Sequence, residues 1–216
     1  MNNLKEKIRP IVKYLRELSI IIVGVSITVG VGLWVNNNSI KKDKKKYFDA
    51  MILELKENAE IFDNYARELQ RSVAYSNYIN SHDEKSISRD SIDYYATGHA
   101  GWGSSISVIL YNEDAFEMFK SSGAMRHVSD KNLLLSIWRV YHGMRSTQKF
   151  IDDCLEYKKE ASQEDSQRFI AGEQIVVRVK SFYRNNLPQN MVYVCEDAAE
   201  SIRETISELE KSKIVK

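Results

Sequence analysis

From Leu18 to Val35 the chain reads LSIIIVGVSITVGVGLWV, eighteen residues without a charge. At 1.5 Å of rise per helical residue the run is about 27 Å long, close to the hydrocarbon thickness of a bilayer. It is apolar all round, whereas a helix on the surface of a globular domain carries a polar face. The sequence therefore predicts one membrane-spanning helix, with Trp34 where an interfacial aromatic residue belongs. A cleaved signal peptide is the rival reading, because a basic tail precedes the run. The run is long for the apolar part of such a peptide, however, and Gly32-Leu33-Trp34-Val35-Asn36 makes a poor cleavage site. The expectation is a single-pass protein of the inner (cytoplasmic) membrane, with the lipid bilayer as its first partner.

Orientation is less constrained. Lys5, Lys7, Arg9, Lys13 and Arg16 precede the run, and Lys41, Lys42, Lys44, Lys45 and Lys46 follow it, so the basic residues balance across the membrane. A basic tail leading directly into an apolar run behaves as a signal anchor, which leans toward a cytoplasmic N-terminus and a periplasmic domain. Were the domain cytoplasmic, the lysine cluster would face anionic head groups at about 1 kcal/mol per charge.

Small residues pattern the run. Gly24, Thr28 and Gly32 fall four apart on one stripe, and Ser26 and Gly30 lie on a neighbouring one, which lets two helix backbones pack closely in lipid. The stripes predict a homo-oligomer formed through the anchor together with the first apolar seam of the domain, the one carrying Phe48, Phe62 and Leu69; the rival reading is that the bundle consumes that seam within the monomer. The absence of charge within the run argues against an intramembrane ion relay.

Beyond the anchor, two prolines and nine glycines in 216 residues, with 28% charged residues, favour long helices over a turn-rich β fold. The net charge of +1 gives no bias toward nucleic acid, and none is expected as a partner. Apolar residues recur in steps of three and four at Phe48, Ile52, Leu55, Ala59, Phe62, Ala66, Leu69 and Val73, a coiled-coil-like seam that fades between Asn77 and Ser88. A second stripe runs through Leu133, Ile137, Val140, Met144, Ile151 and Cys154, with Ser129 and Asp130 as caps. A third reads Phe169, Gly172, Val176, Val179 and Tyr183, stopped by Asn185-Asn186-Leu187-Pro188, and a fourth Val192, Cys195, Ala199, Ile202, Ile206 and Leu209. Narrow stripes on long helices are buried only against one another, so the expected fold is all-α: an N-terminal transmembrane helix followed by a bundle of about four long helices. The organisation is a basic tail over 1–17, the membrane helix over 18–35, a basic linker over 36–46 and the bundle over 47–216. Between the first two stripes, GHAGWGSS reads as a turn, SISVILYN as a short strand or helical turn, and Asn112 as the cap of a short helix from Glu113 to Lys120 ended by Ser121-Ser122-Gly123.

Three segments carry a resemblance. ELSIIIVGVSITVGVGLWVNN, from Glu17 to Asn37, resembles the anchor of an uncharacterised Bacteroidota family of small single-pass membrane proteins. YFDAMILELKENAEIFDNY is similar to the helix after that anchor, and AFEMFKSSGAMRHVSDKNLLLSIWRVYH to the family's Lys-Ser-Ser-Gly stretch leading into an aromatic helix. Together they cover about a third of the chain. The family has no assigned activity, so the resemblance implies an anchor and a helical domain and nothing catalytic.

Candidate chemistry is sparse. His82, His99, His127 and His142 lack the spacing or cysteine partners of a zinc site. Arg139 and His142 loosely resemble the arginine-histidine pair of helical nucleases of the HEPN class, but at narrower spacing and beside Trp138 and Tyr141, where packing is the simpler role. Cys154 and Cys195 occupy stripe positions and read as buried thiols, with a disulfide the alternative in an oxidising compartment. No phosphate loop, nucleophile elbow or paired-carboxylate motif is present, so neither an enzyme nor a cofactor is expected. Two function classes remain: a membrane-tethered interaction or scaffold protein with a protein partner, or an oligomeric membrane effector, such as a pore or an accessory component of a defence system. The low polarity of the membrane helix makes an aqueous lining hard to build and favours the first.

Overall fold

The computed structural model describes residues 44–83, 86–87, 90–91, 109–172, 177 and 179–214. The chain divides into two compact units, 1–46 and 47–216, and apart from residues 44–46 all described residues belong to the second. Among the described residues no helix is long and apolar enough to cross a membrane. The expected span over 18–35, with Gly24, Ser26, Thr28, Gly30 and Gly32, lies outside them.

The described structure is helical, without a strand. Helix α1 covers residues 44–81, α2 Asp114–Ser121, α3 Lys131–Ile170, α4 Lys180–Arg184 and α5 Leu187–Ile214; a 3-10 turn, Ala124–His127, joins α2 to α3. Cross-helix bonds fix the directions. Lys56 pairs with Glu210 at 3.0 Å, Arg203 with Asp63, and Gln189 donates to Asn77 at 3.0 Å, so α5 runs antiparallel to α1. Tyr141 bonds Glu54, while further along α3 Tyr157 reaches Asn185, beside Tyr183, whose carbonyl accepts from Ser76, so α3 runs parallel to α1. Two parallel staves need a return between them, and residues 109–121 supply it: Asn112 lies at Asn58, Ala115 at Glu54 and Phe119 at Phe48, stepping down α1. The fourth member of the bundle is thus part irregular chain and part α2.

Local sequence accounts for the helix ends. The Asp130 carboxylate accepts from the backbone N–H of Asn132 at 3.0 Å and Leu133 at 3.1 Å, capping α3. Gly172, at φ +88°, ends it in a left-handed turn that a side chain would strain. Asn112 Oδ1 accepts from the N–H of Asp114 at 3.0 Å and starts α2 one residue later than expected, and Gly123, at φ +72°, stops the chain beyond it. Pro188 sits in the first turn of α5, where its missing N–H costs nothing.

Two expectations are corrected. The third stripe is not one helix: Phe169 is 61% exposed at the end of α3, Gly172 breaks the chain, and Tyr183 is buried on the five-residue α4. As expected, helix α1 ends within the polar stretch Asn77–Ser88, at Ser81, and its asparagines there bond across the bundle, Asn80 donating to Asn186 Oδ1 at 2.7 Å. Residues 109–112, the described part of the segment read as a strand or helical turn, form neither.

The seam residues Phe48, Ile52, Leu55, Phe62 and Leu69 all lie in the core, the last three 0–1% exposed. The buried face of α1 is wider than a seam, taking in Met51, Glu54, Asn58, Tyr65, Tyr75 and Ser76 as well. It is a helix packed from several sides, and its apolar stripe is spent within the monomer. Association through it would require opening the bundle.

Candidate functional site

The densest polar cluster in the described core joins α1, the returning segment and α3. Glu54 is 5% and Asn58 0% exposed, one helical turn apart on the buried face of α1. Glu54 Oε2 accepts from the backbone N–H of Ala115 at 2.7 Å, and Oε1 accepts from the Tyr141 hydroxyl at 2.6 Å. The Asn58 amide donates to the Asn112 carbonyl at 2.6 Å and accepts from the Asn112 N–H at 2.9 Å. Asn58 thus pairs a backbone that has no helical or strand partner, as buried peptide groups require. Phe116 stacks on Tyr141 at 4.2 Å with ring planes 7° apart. Burial first, and then the bond and charge of Glu54, push the Tyr141 phenol far above its ordinary range, so it stays a neutral donor.

A surface layer covers the cluster. Arg145 Nε donates to Glu113 at 2.9 Å and its Nη2 lies 2.7 Å from Glu113 and 3.1 Å from Glu117. Lys120 pairs with Glu117 at 2.6 Å; that hydrogen bond, more than the Arg145 contacts, holds the Glu117 carboxyl below its usual range. Gln148 donates to the Ile109 carbonyl at 3.1 Å. The bonding groups of Glu54, Asn58 and Tyr141 are thus engaged within the protein. The chemistry of this arrangement is to clamp residues 109–115 onto two helices.

A second clamp closes the other end. Ser76 Oγ donates to the Tyr183 carbonyl at 2.6 Å and Asn80 to the same oxygen at 3.3 Å, while Arg184 donates to the His82 carbonyl at 3.0 Å. Val179, at φ +52°, holds a left-handed conformation unfavourable for a β-branched residue, and its N–H donates to Asp165 Oδ2 at 2.5 Å.

The residues singled out in the sequence do not converge. His82 stacks on Tyr78 with ring centroids 4.4 Å apart at the end of α1, His127 ends the 3-10 turn, and His142 stacks on Trp138 at 5.0 Å on the outside of α3. Arg139 is exposed on the same outer face; His99 lies outside the described residues. Among the described residues no group of three His, Cys, Asp or Glu side chains could hold a metal ion. Cys154 and Cys195 are free and buried on α3 and α5, as expected for packed thiols. Burial raises the Cys154 thiol to about 11 and the Cys195 thiol to about 12. Burial, more than the neighbouring thiols, pushes the Tyr65 phenol above its ordinary range, and its buried hydroxyl makes no hydrogen bond among the described residues.

Glu54, Asn58 and Tyr141 stand on none of the apolar stripes. The signal was there in LELKENAE, where a carboxylate and an amide four apart flank apolar positions, but a seam traced by apolar residues alone steps past polar residues in the core. The chain matches no protein-family model, no curated protein and no solved structure.

Proposed function

We propose that this chain is a membrane-tethered helical interaction protein that self-associates through its anchor. The observation that carries the reading is the uncharged run from Leu18 to Val35 with its Gly24, Thr28 and Gly32 stripe, joined through a lysine-rich linker to a separate helical unit. The bundle adds support of another kind. Its polar groups are used to hold its own chain, and the seam expected to associate together with the anchor is buried within the bundle. Association then falls to the small-residue stripe.

Two measurements test this. Full-length protein should resist carbonate extraction and need detergent for solubility; extraction into carbonate would refute the tether. Gly24→Leu with Gly32→Leu should sharply reduce crosslinked dimers or higher species in membranes while leaving the thermal unfolding of the bundle unchanged. A native chain that runs as a monomer in several detergents and gives no crosslinks in membranes would refute self-association.

A further inference from the structure

The outer face of α3 carries an arrangement that the clamps and the core do not use. The buried stripe of α3 passes through Leu133, Ile137, Val140 and Met144. On the opposite side Lys131, Leu135, Trp138, Arg139 and His142 are exposed, Leu135 by 49% and Trp138 by 52%. A tryptophan and a leucine thus lie exposed side by side on one helix face.

Charge says what would cover them. Between Lys120 and Lys149 the sequence has six lysines and arginines and one acid, Asp130. The Asp130 carboxylate is occupied in capping α3, and Lys120 and Arg145 are held by Glu113 and Glu117. Among the described residues Arg126, Lys131 and Arg139 pair with no carboxylate, and all three are exposed. An aromatic and an aliphatic side chain flanked by unneutralised cations match a bilayer interface containing anionic lipid: the ring and leucine enter the head-group boundary and the cations meet phosphate.

Position supports the same occupant. The bond from Tyr141 to Glu54 and the parallel course of the two helices put Leu135 and Trp138 one to two turns nearer the start of α1, level with Phe48 and Met51. Residues 1–43 join the bundle covalently at that end, and α1 begins with Lys44, Lys45 and Lys46. We infer that the outer face of α3 around Leu135, Trp138, Lys131 and Arg139 is a docking surface for anionic lipid head groups, laying the bundle against the bilayer that anchors it. The inference rests on the membrane-tether reading for its geometry, but its lipid chemistry is tested separately.

The test uses full-length protein with Trp34→Phe and Trp102→Phe, leaving Trp138 as the only tryptophan. The protein is reconstituted with vesicles of phosphatidylcholine, alone or mixed with phosphatidylglycerol, carrying a brominated acyl chain as quencher, and vesicle association is read by flotation. The expected result is flotation with both compositions, with Trp138 emission blue-shifted and quenched only where phosphatidylglycerol is present. Lys131→Glu with Arg139→Glu should reduce the quenched population by about tenfold or more without changing flotation. Flotation without quenching overturns the docking surface and spares the tether. Flotation and quenching confined to phosphatidylglycerol vesicles support the surface and refute the tether. Quenching indifferent to phosphatidylglycerol or to the charge reversals overturns the proposal, as does failure to float with either composition.

Discussion

Replacing Tyr141 by phenylalanine isolates the hydrogen bond at the centre of the core cluster. The ring is 1% exposed and stacks on Phe116 at 4.2 Å, and phenylalanine preserves that packing. What disappears is one 2.6 Å bond to Glu54, a residue itself only 5% exposed. A buried hydrogen bond to a charged group contributes about 1.5–3 kcal/mol, and here its loss leaves one carboxylate oxygen unpartnered. The expected cost is about 2 kcal/mol, which for a domain of this size lowers the melting temperature by roughly 4–8 °C. Glu54→Leu alone should cost more, because it strands both the Tyr141 hydroxyl and the Ala115 N–H. The two changes are coupled: Glu54→Leu in the Tyr141→Phe background should cost about 1–2 kcal/mol less than in the native chain. Urea unfolding of full-length protein in mild detergent, followed by circular dichroism, measures all four corners of the cycle. A Tyr141→Phe variant within about 0.5 kcal/mol of native, or strictly additive costs, would refute the clamp as an energetic unit.

The buried thiols predict an alkaline limit. Burial lifts Cys154 from 9.0 to about 11 and Cys195 from 9.0 to about 12, so the folded state keeps protons that the unfolded chain releases. Stability from this source is full below pH 9 and is lost as the pH rises through about 11 and about 12. Replacing both cysteines by alanine should flatten the fall in melting temperature above pH 9, and an unchanged alkaline slope would contradict the assignment. Gly143, in mid-helix with open space where a Cβ would stand, should accept alanine with a gain of about 0.5–1 kcal/mol. The same substitution at Gly172, at φ +88°, should destabilise by about 1 kcal/mol, and thermal melts that fail to separate the two signs would refute the backbone argument.

The stripes that define α1, α3 and α5 were legible because long runs with three- and four-residue spacing leave few alternatives to helix. Leu133 through Cys154 and Val192 through Leu209 are buried as the spacing implied. The stripe from Phe169 to Tyr183 misled because apolar residues at helical spacing do not reveal a glycine that adopts a left-handed turn between them. The returning segment 109–113 was illegible for a different reason: its backbone is satisfied by Asn58, fifty-four residues away, and local periodicity carries no trace of a tertiary bond. The same limit hid the core cluster, since Glu54 and Asn58 look like ordinary members of a charged helix until Ala115, Asn112 and Tyr141 are brought to them. Trp138 and Leu135 lie off the stripe of Leu133, Ile137, Val140 and Met144, and the fold leaves them outside as that spacing implies.

The antiparallel register of α1 and α5 also decides where the chain is accessible. Lys56 facing Glu210 brings Ile214, the end of α5, back to the end of the bundle where α1 starts. A reporter placed at the end of α5 would therefore sit toward the end of the bundle where α1 begins. The opposite tip, where Ala171 and Gly172 turn the chain between Ile170 and the clamped α4, stands roughly the length of α1 away, about 55 Å. An epitope inserted at that tip would test exposure of the bundle without touching either chain terminus, and would leave the entry end free.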